Sequence, residues 1–267
     1  MTIPRRGYAD GPFGQVHFQH LGEGAPLVLL HQAPMTSGQF DNVYAPLAAR
    51  GVRAIGIDMP GFGLSDPTAH VPTVTDYGRV VPAVLNALGI DRTAILGHHT
   101  GALAATEASL LFPDRISALI LNGPLPITDA ERADFMAGLH VEEKAFTALP
   151  HAAHLVAMFD IRNSLADGTI PDARLTEYVV QAMTGRGEYW WGHHAAFQYD
   201  HAATLPLIAH PCLVLTNSGD LIYENARWAH RIRPDFAFTC IDGGGVDIVD
   251  QQPEQWADAV AAFLLKA

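Results

Sequence analysis

The sequence predicts an α/β fold: a mostly parallel central sheet flanked by helices, with a helical cap inserted after the sixth strand. Three observations predict it. Short continuous apolar runs, such as residues 26–31 (PLVLLH) and 116–122 (ISALILN), alternate with stretches of helical periodicity. This is the pattern of strands buried on both faces and joined by crossover helices. The run 94–96 passes through Gly97-His98-His99-Thr100-Gly101 straight into an alanine-rich stretch. From Leu125 to about Leu207 no buried strand is evident, and then the strand–helix rhythm resumes. The expected division is a core of residues 1–124 and 208–267 with a helical cap of residues 125–207.

Taken in order, residues 15–21 (QVHFQHL) alternate and read as a half-exposed strand. Gly22-Glu23-Gly24 turns the chain into strand 26–31, which ends in His31-Gln32-Ala33-Pro34. A helix is expected over 37–50, closed by Arg50-Gly51. Strand 52–58 leads into Met59-Pro60-Gly61-Phe62-Gly63-Leu64-Ser65-Asp66, a loop dense in turn formers. Residues 73–88 carry Val80, Val81, Val84, Leu85 and Leu88 at helical spacing. Strand 93–96, the glycine turn and a helix to about Phe112 follow. Pro113-Asp114-Arg115 ends that helix, and 116–122 is the next strand. Within the insertion, helices are expected over 129–140, 141–158 and 174–183. Beyond it come strand 211–216, the loop Asn217-Ser218-Gly219-Asp220, a helix over 224–231 and strand 236–241. Asp242-Gly243-Gly244-Gly245-Val246-Asp247 then leads to an amphipathic helix over 253–266.

Composition narrows the classes of function. The 267 residues are 49% hydrophobic, enough for one large domain with a buried core. The formal net charge is −12 and no Lys/Arg cluster appears, which argues against a nucleic-acid surface. No apolar run approaches a membrane span, and the N-terminus MTIPRRGYADG does not read as a signal peptide. A cytoplasmic protein acting on a small molecule is expected, with no membrane partner and no cofactor; a homodimer is allowed. Cys212 and Cys240 both sit in apolar runs and read as buried small hydrophobes in a reducing compartment.

Strand, glycine-flanked turn, helix is the layout of a nucleophile elbow. The central residue is held in a strained backbone conformation, and side chains two positions to either side would collide with it. Its own side chain stands at the top of the sheet, beside the positive end of a helix. Here that residue is His99. With the elbow in place, the chain resembles the α/β-hydrolase superfamily over essentially its whole length. His31-Gln32-Ala33-Pro34 sits where that family has its oxyanion loop, and Asp58-Met59-Pro60-Gly61-Phe62-Gly63-Leu64-Ser65 resembles its D-x-P-G-x-G-x-S loop. Asn122-Gly123-Pro124 leads into a cap, Asp220 stands at the family's acid position, and Asp242–Gly245 leads to its histidine position. The departures are His99 at the nucleophile position, Val246 at the histidine position, and Gln32 for the oxyanion-loop glycine. A serine-esterase mechanism does not carry over, because there is no serine to acylate and no histidine to deprotonate it.

The residues themselves suggest another chemistry. An imidazole at the elbow reaches farther than a hydroxyl, and Val246 leaves room for it. Asp220 would hold one nitrogen of His99 and fix its tautomer, leaving the other as a general base. The resemblance implies the Ala33 and Thr100 N–H groups as oxyanion donors; with His99 and Asp220 they suit general-base hydrolase or lyase chemistry on a small, largely apolar carbonyl compound. His31, Gln32, His98, Trp190, His194 and Val246 are the expected substrate contacts, with His31 ordering the oxyanion loop and His98 packing beside the elbow. Two alternatives stay open: a non-catalytic ligand-binding pseudoenzyme, and a metal-assisted hydrolase using His99 with neighbouring histidines. No metal signature such as H-E-x-x-H is present, and no metal site is assigned. Asp247 is expected to cap the last helix.

Overall fold

A computed structural model describes residues 3–266. The strands are β1 (Arg5–Gly11), β2 (Gly14–Leu21), β3 (Ala25–Leu30), β4 (Val52–Ile57), β5 (Thr93–His98), β6 (Ile116–Asn122), β7 (Cys212–Asn217) and β8 (Ala237–Ile241). They form one sheet in the order β1-β2-β4-β3-β5-β6-β7-β8. β1 and β2 pair antiparallel, as do β2 and β4; every pair from β4 to β8 is parallel.

The apolar runs are continuous because both faces of the sheet are covered. Val28, Leu30, Ile95, Leu119 and Leu121 pack into one core; Leu27, Leu29, Leu96, Ile120, Leu213 and Leu215 pack into the other with Phe40, Tyr44 and Trp256. Each fully buried side chain of this kind contributes about 1.5–3 kcal/mol. The α-helices are α1 (Asp41–Ala49), α2 (Val74–Gly78), α3 (Val81–Ala87), α4 (Thr100–Leu111), α5 (Asp129–Glu142), α6 (Ala153–Leu165), α7 (Asp172–Met183), α8 (Trp191–Gln198), α9 (His201–Thr204), α10 (Tyr223–Ile232), α11 (Ile248–Gln251) and α12 (Pro253–Leu264). Between β6 and β7 the described residues contain helices and no strand.

Five expectations are corrected. Strand β1 escaped the sequence reading because only Ala9 of RRGYADG is buried; an edge strand with one interior contact carries no alternation. With it counted, the insertion does follow the sixth strand. The helix expected over 37–50 begins as a separate 3-10 turn, Ser37–Phe40, capped by the Thr36 hydroxyl. The helix expected over 73–88 is two. Pro82 is tolerated only in the first turn of α3, because it has no N–H to continue α2. The helix expected over 141–158 does not exist as one piece: α5 ends at Glu142, and α6 starts at Ala153 after Leu149-Pro150, where the residue before proline is pushed out of the helical region. Cys240 is exposed, on edge strand β8, while Cys212 is buried. Among the described residues no helix is long and apolar enough to cross a membrane.

Candidate active site

The turn between β5 and α4 has the backbone that the glycine spacing demands. His99 sits at φ 49°, ψ −112°, immediately before α4. A Cβ on Gly97 would lie 1.9 Å from the Gly101 carbonyl oxygen, and one on Gly101 would lie 2.1 Å from that of Leu30. Neither position admits a side chain, and together they force the 99 side chain outward.

His99 Nε2 donates to Asp220 Oδ2 at 3.0 Å. Asp220 comes from the loop after β7, and its other oxygen accepts from the Ile222 N–H at 3.2 Å. Burial alone would raise the Asp220 carboxyl; the neighbouring His99 ring and these donors outweigh it and hold the group below the usual carboxylate range. Because Nε2 carries the proton, Nδ1 is the free lone pair. It has no partner among the described residues, and the ring lines a cavity of about 690 Å³. Gly123 lies directly under the imidazole: a Cβ there would stand 2.5 Å from His99 Cδ2.

The cavity lies between the carboxyl edge of the sheet and the helical insertion. Gln32, Ala33, Thr100 and Val246 line it from the sheet side, and Phe146, Met158, Arg162, Tyr189 and His193 from the insertion. The Ala33 and Thr100 N–H groups have no hydrogen-bond partner among the described residues. Gln32 donates from Nε2 to Asp247 Oδ1 at 3.2 Å, and its N–H donates to Gln39 Oε1 at 2.9 Å. Gln39 in turn donates to His98 Nδ1.

The expected substrate contacts therefore divide. Gln32 and Val246 line the cavity. His31 and His98 are fully buried behind it, and burial lowers the pKa of both. His31 donates from Nδ1 to the Gln32 carbonyl and accepts at Nε2 from the Met59 N–H, both at 2.9 Å, which fixes the loop. With both nitrogens occupied, His31 does not converge with His99. Among the described residues no cluster of His, Cys, Asp and Glu is arranged to hold a metal. Trp190 and His194 do not line the cavity; they pack edge-to-face on each other at 5.3 Å, with Lys144 over the indole. The neighbouring His193 lines it instead. Its α8 positions 193, 196 and 197 face inward together, an i, i+3, i+4 pattern. Asp247 makes no side-chain cap. Its carboxylate pairs with Arg162 of α6 and with Gln32, and burial raises its pKa. Arg162 and Glu143 are among the lining residues that sequence reasoning did not assign.

The alpha/beta hydrolase fold family model matches residues 25–177. The chain belongs to the α/β hydrolase fold family. The hydrolase-fold chain is 36% identical over 114 residues to a 2-hydroxy-6-oxononadienedioate/2-hydroxy-6-oxononatrienedioate hydrolase of Cupriavidus pinatubonensis, covering 41% of this chain and 39% of that one. It is 32% identical over 128 residues to a 2-hydroxy-6-oxo-6-phenylhexa-2,4-dienoate hydrolase of Burkholderia cepacia, covering 46% and 44%. The match thus spans about two-fifths of these relatives' length. Among solved structures, an E-2-(acetamidomethylene)succinate hydrolase superposes with a TM-score of 0.79 at 17% identity, covering 98% of this chain and 99% of that one. The enol-lactonase of Burkholderia xenovorans superposes at 0.79 and 18%, covering 97% and 100%. At these identities the structures establish the fold.

Proposed function

We propose that this α/β hydrolase-fold protein is an enzyme of hydrolase or lyase type. It acts on a small, largely apolar, carbonyl-containing molecule with His99 as general base. One observation carries the reading: His99 Nε2 is held by Asp220 at 3.0 Å while Nδ1 has no partner among the described residues and the ring lines the cavity. The carboxylate fixes the tautomer, so the lone pair that faces the cavity is the one that takes a proton.

In the reaction proposed, Nδ1 removes a proton from water as the water oxygen bonds to the substrate carbonyl carbon. The developing oxyanion is stabilised by the N–H groups of Ala33 and Thr100. The tetrahedral intermediate then expels a carbon or heteroatom leaving group, which is protonated. Val246 leaves the volume that the imidazole uses, and residues 125–207 act as a cap that closes the cavity. Relatives named as hydrolases of 2-hydroxy-6-oxo-dienoates support a ketone-bearing substrate, and such compounds are the first to screen. An apolar wall with a few placed polar groups suits such ligands.

The test is His99→Gln, whose amide keeps a donor for Asp220 but carries no basic nitrogen. Turnover falls by about 10²–10⁴-fold, with circular dichroism and melting temperature close to those of the parent. A change in binding affinity alone, with no turnover in the parent, would establish the ligand-binding alternative.

A further inference from the structure

The His99–Asp220 pair has a counterpart on the opposite wall. His193, on α8, donates from Nδ1 to Glu143 Oε1 at 2.6 Å. Both residues line the same cavity as His99. The ring lies parallel to Phe197, 5.8 Å between centroids and 7° between planes, so its orientation is set by packing as well as by the carboxylate. His193 Nε2 has no partner among the described residues, and Glu143 Oε2 is buried without one. The carboxylate does for His193 what Asp220 does for His99: it fixes one nitrogen and leaves the other to exchange a proton.

Placement ties this second pair to the reacting end of the cavity. Gly192, the residue before His193, is pressed against the oxyanion loop: a Cβ there would lie 2.4 Å from Ala33 Cβ and 3.1 Å from the Phe62 ring. His193 is therefore one residue from a contact with the loop that would hold the oxyanion. A side chain at 192 would move α8, and His193 with it, away from that loop.

We propose that His193, positioned by Glu143, is the proton donor to the leaving group, separate from the base His99. This rests on the general-base reading of the site. The balance is complete without another reactant. Water loses a proton to His99 Nδ1, and its oxygen bonds to the carbonyl carbon. The bond from that carbon to the leaving group breaks, and its electron pair goes to the leaving atom. That atom takes the proton from Nε2 of His193 in its imidazolium form, whose Nδ1–H stays on Glu143. His99 then releases its proton to solvent, and His193 regains one from solvent. A carbon or alkoxide leaving group needs such a donor; a phenolate stable as the anion needs it far less.

The experiment compares p-nitrophenyl acetate with ethyl acetate in the parent, His193→Gln and Glu143→Gln proteins. In His193→Gln the loss of kcat/KM is at least tenfold larger for the ethyl ester than for the p-nitrophenyl ester. Glu143→Gln, which acts through His193, shows the same selectivity at smaller size. Losses equal for the two esters, or no loss, overturn the proposal while parent turnover leaves the base reading standing. If the parent turns over neither ester, the comparison is made on a 2-hydroxy-6-oxo-dienoate, whose carbon leaving group needs the donor: an unchanged kcat/KM in His193→Gln overturns the proposal alone, and no turnover of that compound by the parent overturns both.

Discussion

The two walls of the cavity are built by different rules. On the sheet side, the His99–Asp220 pair is placed by backbone: the His99 N–H donates to the Asn122 carbonyl at 2.8 Å within the glycine-flanked turn, and the Asp220 N–H donates to the Asn217 carbonyl at the end of β7 at 3.1 Å. On the insertion side, position depends on side chains that cross between segments. Arg162 pairs with Asp247, Arg174 with Asp250 at 3.1 Å, and the Tyr178 hydroxyl donates to Asp250. These ties gather α6 and α7 against the carboxyl end of the sheet. The reacting histidine is placed by turn and ladder geometry; the insertion is tied to the sheet by a few ionic contacts.

The ionic contacts are the place to break that contrast hardest. Arg162→Met strands the Asp247 carboxylate, 1% exposed, opposite an apolar chain. Urea unfolding will show a loss of about 3–5 kcal/mol, as for other broken buried pairs, and the double change Arg162→Met/Asp247→Leu will recover most of it. Failure of the double variant to recover would mean that the pair acts through shape rather than charge. Next in size is a matched truncation. Leu29→Ala, in the fully buried interior of β3, costs about 2–5 kcal/mol, whereas Met158→Ala, already facing the cavity, costs about 2 kcal/mol or less.

The smallest effect sits at the seam between the walls. His201 is fully buried, and burial drops its pKa to about 3. Its Nδ1 accepts from the Leu125 N–H at 3.2 Å, and its Nε2 donates to the Thr106 hydroxyl at 3.1 Å. The folded form is neutral, and the unfolded chain binds the proton more readily. Stability is therefore full above about pH 6.5 and declines as pH falls from there toward 3. Between pH 7 and 5 this residue removes about 1–2 kcal/mol. Melting temperatures of the parent will fall over that range, and those of His201→Gln will fall less.

The same contrast governs what the sequence disclosed. The strands were legible because a run such as PLVLLH has one explanation, burial on both faces. The turn was legible because Gly97 and Gly101 report a local steric conflict. The meeting of His99 with Asp220 could be inferred because Val246 is too small to stand between them. The insertion resisted reading. Leu149-Pro150 broke a helix that the apolar spacing favoured, and His193 could not be told from His194 without the helical register that carries Ala196 and Phe197. The Arg162–Asp247 pair joins residues 85 positions apart, and nothing in either local segment encodes its partner.

The glycine after β6 has a consequence for how such a site can arise. With φ at +66° and His99 Cδ2 only 2.5 Å from any added Cβ, Gly123 and the imidazole share one volume. The two positions are therefore epistatic. Alanine at 123 would collide with the imidazole where it now stands; a smaller residue at the elbow would remove that collision and leave only the backbone strain at 123. A lineage can acquire this imidazole only while 123 is still glycine. Once it has, the imidazole adds a steric bar at 123 to the one its backbone already sets.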